Sequence, residues 1–131
     1  MSARVEVRQL RDGEAVPDLL AEFAGLRIQP AYTWLAEANG KIVGALLGGH
    51  MHGILVLLRL IVDKPAPTQT SLLLIRAALR AARERGLPHV MTLIAPEREE
   101  ERKLGKLFER HKGAAFVPFN GVIAIASIER K

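Results

Sequence analysis

Apolar and polar residues alternate through VEVRQL (5–10), a period of two that predicts a half-buried strand. Asp12-Gly13 then turns the chain, and over 14–26 the spacing becomes helical, with Leu19, Leu20, Phe23 and Leu26 on one face and Pro17 near the start. YTWLAEANGKIVGALLGG (32–49) predicts two strands around Asn39-Gly40, a dipeptide that accepts the positive φ angles of a tight hairpin. ILVLLRLIV (54–62) is apolar almost throughout, as in a central strand buried on both faces. Residues 71–85 return to a helical period. Leu72, Ile75, Leu79 and Ala82 share a face, Arg76, Arg80 and Arg83 lie on its flank, and Gly86 is the stop. HVMTLIA (89–95) predicts a further strand after Pro88, and 97–112 a second helix with Leu104, Leu107, Phe108 and His111 on its inner stripe. AAFVPFNGVIAIASIE (114–129) closes the pattern with a hairpin around Asn120-Gly121.

The resulting order, β-α-β-β-β-α-β-α-β-β, defines an α/β (α+β) fold with one mixed central sheet, helices on both faces and a parallel crossover through the 71–85 helix. No repeat, linker or low-complexity segment divides the 131 residues, so a single domain spanning 1–131 is expected.

Composition narrows the function. Apolar residues are 49% and charged ones 25%, the balance of a folded globular chain, and aromatics at 5% leave the core to Leu, Ile, Val and Ala. The absence of cysteine removes disulfides, thiolate metal sites and a cysteine nucleophile, and fits a reducing compartment. Charges throughout MSARVEVRQL argue against a signal peptide. Residues 42–62 have the length of a membrane span, but His50, His52, Arg59, Gly48-Gly49 and Gly53 break it, and two adjacent strands explain it better. A soluble cytoplasmic protein with no membrane contact is expected.

The net charge of +5 leaves nucleic acid, a membrane surface or an anionic small ligand open as partners. The Arg76, Arg80 and Arg83 stripe suits a phosphate. Glu84 beside it and the lack of nearby stacking aromatics argue against specific nucleic-acid binding. EREEERK (97–103) reads as a solvated helix start with acids well placed for the dipole.

Arg59 interrupts the central strand, where a charge needs a partner or a wet cleft. It is a candidate for binding a substrate carboxylate or cofactor, or else for an ion pair with Glu37. His50 and His52 share a face if both lie on a strand, and either is a candidate base near neutral pH. With no third ligand in view they do not make a metal site. The apolar edge of VIAIASI (122–128) is a candidate surface for a homodimer through strand pairing.

Several phrases, in succession along nearly the whole chain, resemble the GCN5-related N-acetyltransferase family. EANGKIVGALLG is similar to its second and third strands, LRLIVDKP to its fourth, the helix ending AARERGL to its cofactor-side helix, and KLFERHKGAAF to its last helix and sixth strand. The resemblance implies acetyl-CoA as cofactor, transfer of an acyl group to an amine, and a V-shaped split between the fourth and fifth strands. It implies that pantetheine pairs with backbone near Ile61, Val62 and Asp63. It also implies that pyrophosphate sits where Thr68, Gln69, Thr70 and Ser71 open the 71–85 helix, on free amides at the positive end of its dipole. Glu37, His50 and His52 are the candidate bases.

Two departures stand against this pattern. The family loop carries Gln or Arg, then Gly, then Gly or Ala, where this chain has Thr68, Ser71 and Leu73. Thr68, Thr70 and Ser71 are equally good N-caps. The family's tyrosine acid falls on Phe108, the one tyrosine, Tyr32, lies elsewhere, and 97–112 has no asparagine. The competing expectation is therefore a domain of this fold that has lost catalysis and serves a larger assembly, phage particles included.

Overall fold

The computed structural model describes residues 4–23, 28–63, 66–67, 69–94, 99–110, 115–118 and 122–127. Seven strands form one sheet in the order β1-β2-β3-β4-β5-β7-β6. They are β1 (Val5–Gln9), β2 (Thr33–Ala38), β3 (Lys41–Met51), β4 (Ile54–Val62), β5 (His89–Ile94), β6 (Ala115–Pro118) and β7 (Val122–Ser127). Helix α1 (Thr70–Glu84) joins β4 to its parallel neighbour β5, and α2 (Glu99–Glu109) follows β5. All other strand pairings are antiparallel. The β2–β3 hairpin turns on Asn39 (φ 53°) and Gly40 (φ 75°), as that dipeptide predicts. Asn120-Gly121, the second expected turn, lies outside the described residues, but the strands on either side of it do pair.

The sheet has apolar residues on both faces. Trp34, Ala36, Leu46, Leu55, Leu57 and Leu60 lie with Leu74, Ile75, Ala78 and Ala82 of α1 in the main core, which Leu104 and Phe108 of α2 extend over Val90 and Ile94. Leu35, Ala45 and Leu47 form a second cluster with Leu10 and Leu20. Leu20 belongs to a 3-10 helix (Asp18–Phe23), which stands where a longer helix over 14–26 was expected. Residues 14–17 are not helical. The Glu14 side chain instead accepts the Arg11 N–H and pairs with Arg8, a local alternative to helical bonding. Residues 24–27 lie outside the described residues.

Four expectations are corrected. Strand β7, expected to offer an apolar edge for homodimer pairing, lies inside the sheet, paired with β5 on one side and β6 on the other. The buried stripe of α1 is Ser71, Leu74, Ile75, Ala78 and Ala82, while Leu72 is 37% exposed. The stripe is set by contact with β3, since a Cβ on Gly44 would lie 3.0 Å from Thr70 Cγ2 and 3.2 Å from Leu74 Cδ1. Strand β4 is not buried on both faces: Leu55, Leu57 and Leu60 are buried, but Leu58 is 51% exposed. Finally, β3 ends at Met51, and His52 (φ 49°) with Gly53 (φ 79°) makes the turn to β4, so His50 and His52 do not share a strand face.

Candidate functional site

Strands β4 and β5 pair only from Ile54↔His89 to Leu57↔Thr92, while β4 runs on to Val62. The separation starts at a bulge. Leu47 opposes Arg59 and its neighbour Gly48 opposes Leu57, so Leu58 is an extra residue in β4. Glycine is required at this point, because a Cβ on Gly48 would approach the Tyr32 and Val56 carbonyl oxygens to 2.6 and 3.0 Å. The last paired carbonyl, that of Leu57, accepts the buried Thr92 hydroxyl at 3.1 Å, which closes the apex of the opening.

Backbone direction along the rest of β4 follows from one bond. The Asp63 N–H donates to the Val43 carbonyl at 2.9 Å, which makes the level of Asp63 a hydrogen-bonded one in the β3–β4 ladder. Antiparallel pairs alternate, so Ile61 also faces β3, while Leu60 and Val62 turn their N–H and C=O groups toward the edge that β5 has left. Of the three backbone positions expected to hold a cofactor arm, Val62 faces the opening, Ile61 faces β3, and Asp63 is committed through its N–H to β3 and through its carbonyl to the Ala66 N–H. Leu60, which shares Val62's orientation, was not singled out from the sequence, although a period of two pairs it with Val62.

The opening leads to the N-terminus of α1. Gln69 is its N-cap residue and makes no side-chain capping bond. The buried Thr70 hydroxyl and amide both donate to the Pro67 carbonyl, at 2.7 and 3.0 Å, and the Leu73 amide donates to that of Gln69. Thr70 and Ser71 are thus buried first-turn residues and not caps. Leu73 is half-buried, and Thr68 lies outside the described residues.

The candidate bases are not brought together. Glu37, opposite Ile42, accepts Arg8 Nε at 2.9 Å and forms part of a surface cluster in which Arg8 also grips Glu14 at 2.8 Å. The Arg8 guanidinium, with help from the Arg11 amide, holds the Glu14 carboxyl down at about 2, and Glu14 together with Glu37 raises Arg8 in turn. His50 opposes Leu55 on the other side of the bulge. Its ring stacks on Tyr32 at 5.6 Å, its Nε2 accepts the Gly53 N–H, and its own N–H donates to Gln29 Oε1. Arg85 lies over the other part of this stack, 4.9 Å from the Tyr32 centroid, and bonds the Ala31 carbonyl and Gln9. His52 is exposed in the turn. Arg59 is half-buried at the bulge, opposite Leu47 of the second cluster, and Glu37 lies several ladder steps away along the sheet, bonded to Arg8. Phe108 is 7% exposed within the main core.

A separate cleft of about 610 Å³ lies beside the 3-10 helix, lined among others by Glu14, Val16, Asp18, Lys41, Ile42 and Asp63. It is separated from the bulge by the length of β4 from Leu58 to Asp63, roughly 16 Å at ~3.3 Å per residue. Its acids are therefore remote from the apex. Among the described residues no helix is long and apolar enough to cross a membrane, and no group of three or more His, Cys, Asp or Glu is placed to hold a metal ion.

Comparison with known proteins places the fold. No protein-family model and no curated protein sequence matches the chain. Solved structures do. The N-acetylglutamate synthase of Neisseria gonorrhoeae, complexed with coenzyme A and N-acetyl-glutamate, superposes with a TM-score of 0.70 at 15% identity over 99% of this chain. This chain spans 36% of that protein's length. Ard1 of Thermoplasma volcanium gives 0.69 at 14% identity, covering 96% of this chain and 99% of its own. The diaminobutyrate acetyltransferase of Paenibacillus lautus, in complex with L-2,4-diaminobutyric acid and coenzyme A, gives 0.69 at 14% identity, covering 97% and 96%. The fold is that of the GCN5-related N-acetyltransferases.

Proposed function

We propose that this chain is an acyl-CoA-dependent N-acyltransferase acting on an amine in the cytoplasm, with acetyl-CoA held in the β4–β5 opening. The carrying observation is the edge of β4. Leu60 and Val62 offer backbone donors and acceptors at a place where the neighbouring strand is withdrawn, and that edge ends at a helix N-terminus with no side-chain cap. Open strand edge suits the amides of a pantetheine arm, and first-turn amides suit phosphate. Pyrophosphate would draw on Thr68, Gln69, Thr70 and Ser71 at the start of α1, of which the Thr70 amide and hydroxyl are already committed to Pro67.

When bound, the cofactor supplies a thioester carbonyl open to attack by an amine. Thr92 holds the Leu57 carbonyl at the apex of the opening. Arg59, at the bulge, binds a carboxylate on the acceptor. Of the bases, His50 lies nearest along the sheet, opposite Leu55; its Nε2 accepts the Gly53 N–H, and Glu37 is held by Arg8. His52 in the adjacent turn is the alternative. Phe108 has no proton to give, so reprotonation of a thiolate leaving group would fall to solvent.

A second reading is favoured by Phe108 in the core and by Ser71 and Leu73 in place of glycines: a catalytically lapsed protein of this fold within a larger assembly, such as a phage particle, or a homodimer. Acetyl-CoA separates the two. For the enzyme, ligand at 100 times its dissociation constant adds ~2.7 kcal/mol of stability, read as a raised melting temperature. Val62→Pro removes an N–H that β3 does not use, so the variant should fold and show a smaller shift at the same acetyl-CoA concentration. Ile61→Pro breaks the ladder itself and should unfold. No shift at millimolar acetyl-CoA discards the enzyme reading.

A further inference from the structure

Leu58 is a large apolar residue in the middle strand of a seven-stranded sheet, yet 51% of its surface is open to solvent. Its exposure has a definite origin. It is the extra residue of the β4 bulge, lies one residue past the last pairing with β5, and has no opposing partner in β3. Its neighbours in the strand are a buried leucine and a half-buried arginine, and Val56 and Ile54 beyond are half-buried. The opening therefore has an apolar floor at its closed end and polar backbone along its side, from Leu60 to Val62.

A linear ligand entering along that side has its head at α1 and its tip at the closed end. From Val62 to Leu58 the edge measures roughly 13 Å at ~3.3 Å per residue, so the tip meets Leu58 after running past the backbone groups. We propose that Leu58 contacts the acyl chain of the thioester and sets which acyl groups the protein takes, favouring apolar chains longer than acetyl, such as propionyl and butyryl. This rests on the reading of the opening as an acyl-CoA site. The occupant is the acyl chain and not a protein partner, because the apolar floor is continuous with the backbone edge that would hold the rest of the same molecule.

Isothermal titration of coenzyme A, acetyl-CoA, propionyl-CoA and butyryl-CoA tests it without requiring turnover. Burial of one methylene against Leu58 tightens binding about threefold to fourfold, so butyryl-CoA should bind on the order of tenfold more tightly than acetyl-CoA. Leu58→Ala should flatten that series, and Leu58→Met should keep it. Because Leu58 is half exposed, both variants should keep the ligand-free melting temperature nearly unchanged. If all four compounds bind equally to the native protein and to Leu58→Ala, the assignment of Leu58 is overturned while the cofactor site stands. If coenzyme A itself does not bind, the site reading fails, and the assignment falls with it.

Discussion

A methyl group added at Gly48 would lie 2.6 Å from the Tyr32 carbonyl oxygen and 3.0 Å from that of Val56, both backbone atoms held by the sheet. At Gly49 the nearest atom is Gln29 Nε2 at 3.1 Å, the end of a flexible side chain. Gly48→Ala is therefore expected to cost about 3 kcal/mol in urea denaturation, and Gly49→Ala less than about 1 kcal/mol. Charge at single residues gives a second expectation. Glu14 titrates at about 2 in the folded protein, below its ordinary 4.5, chiefly because Arg8 donates to it. A depressed carboxyl stabilises the fold above its unfolded pKa, and that contribution disappears as pH falls from about 4.5 through about 2. Glu14→Gln should lessen the loss of stability across that window, and carboxyl chemical shifts should report the titration. The pair lies near the surface, so added salt should shrink the effect.

At the scale of elements, α1 offers a sharp comparison between adjacent leucines. Leu74 is fully buried against β3 and β4, and Leu72 is 37% exposed. Leu74→Ala should cost about 2–5 kcal/mol and Leu72→Ala under about 0.5 kcal/mol, both measured by chemical denaturation. The chain presents three leucines in succession here, Leu72-Leu73-Leu74, so periodicity located the helix but misplaced its inward face by part of a turn. The close approach of Gly44 to Thr70 and Leu74, a contact between distant parts of the chain, decides that face. Similar limits apply elsewhere. The succession of strands along the chain and the Asn39-Gly40 turn were legible because alternation and turn chemistry are local. The His52-Gly53 turn was missed because histidine at positive φ carries no strong signal. Leu58 was hidden in an apolar run that looks like a two-sided strand, and only the β3–β4 register reveals it as a bulge. Thr92 reads as an ordinary strand former in HVMTLIA, and its bond to the Leu57 carbonyl depends on two strands meeting. Backbone direction at Leu60 and Val62 likewise follows from ladder phase, which composition does not encode.

For the whole molecule, the sheet consists of two antiparallel parts, β1 to β4 and β5 with β7 and β6, joined along one short parallel seam of four residue pairs. Helix α1 packs on the first part and α2 on the second and on β4, while the main core draws residues from both sides. Gly86, at φ 71° with nothing within 4 Å of an added Cβ, marks the passage between them. The chain is consequently divisible. Two polypeptides, 1–85 and 86–131, should each lack stable structure, because neither completes the core, and should regain a native-like circular dichroism spectrum on mixing. A molecule lodged in the gap above the seam would touch both fragments. Reassembly of such a pair would then serve as a complementation reporter, its association strengthened by whatever the gap is built to hold.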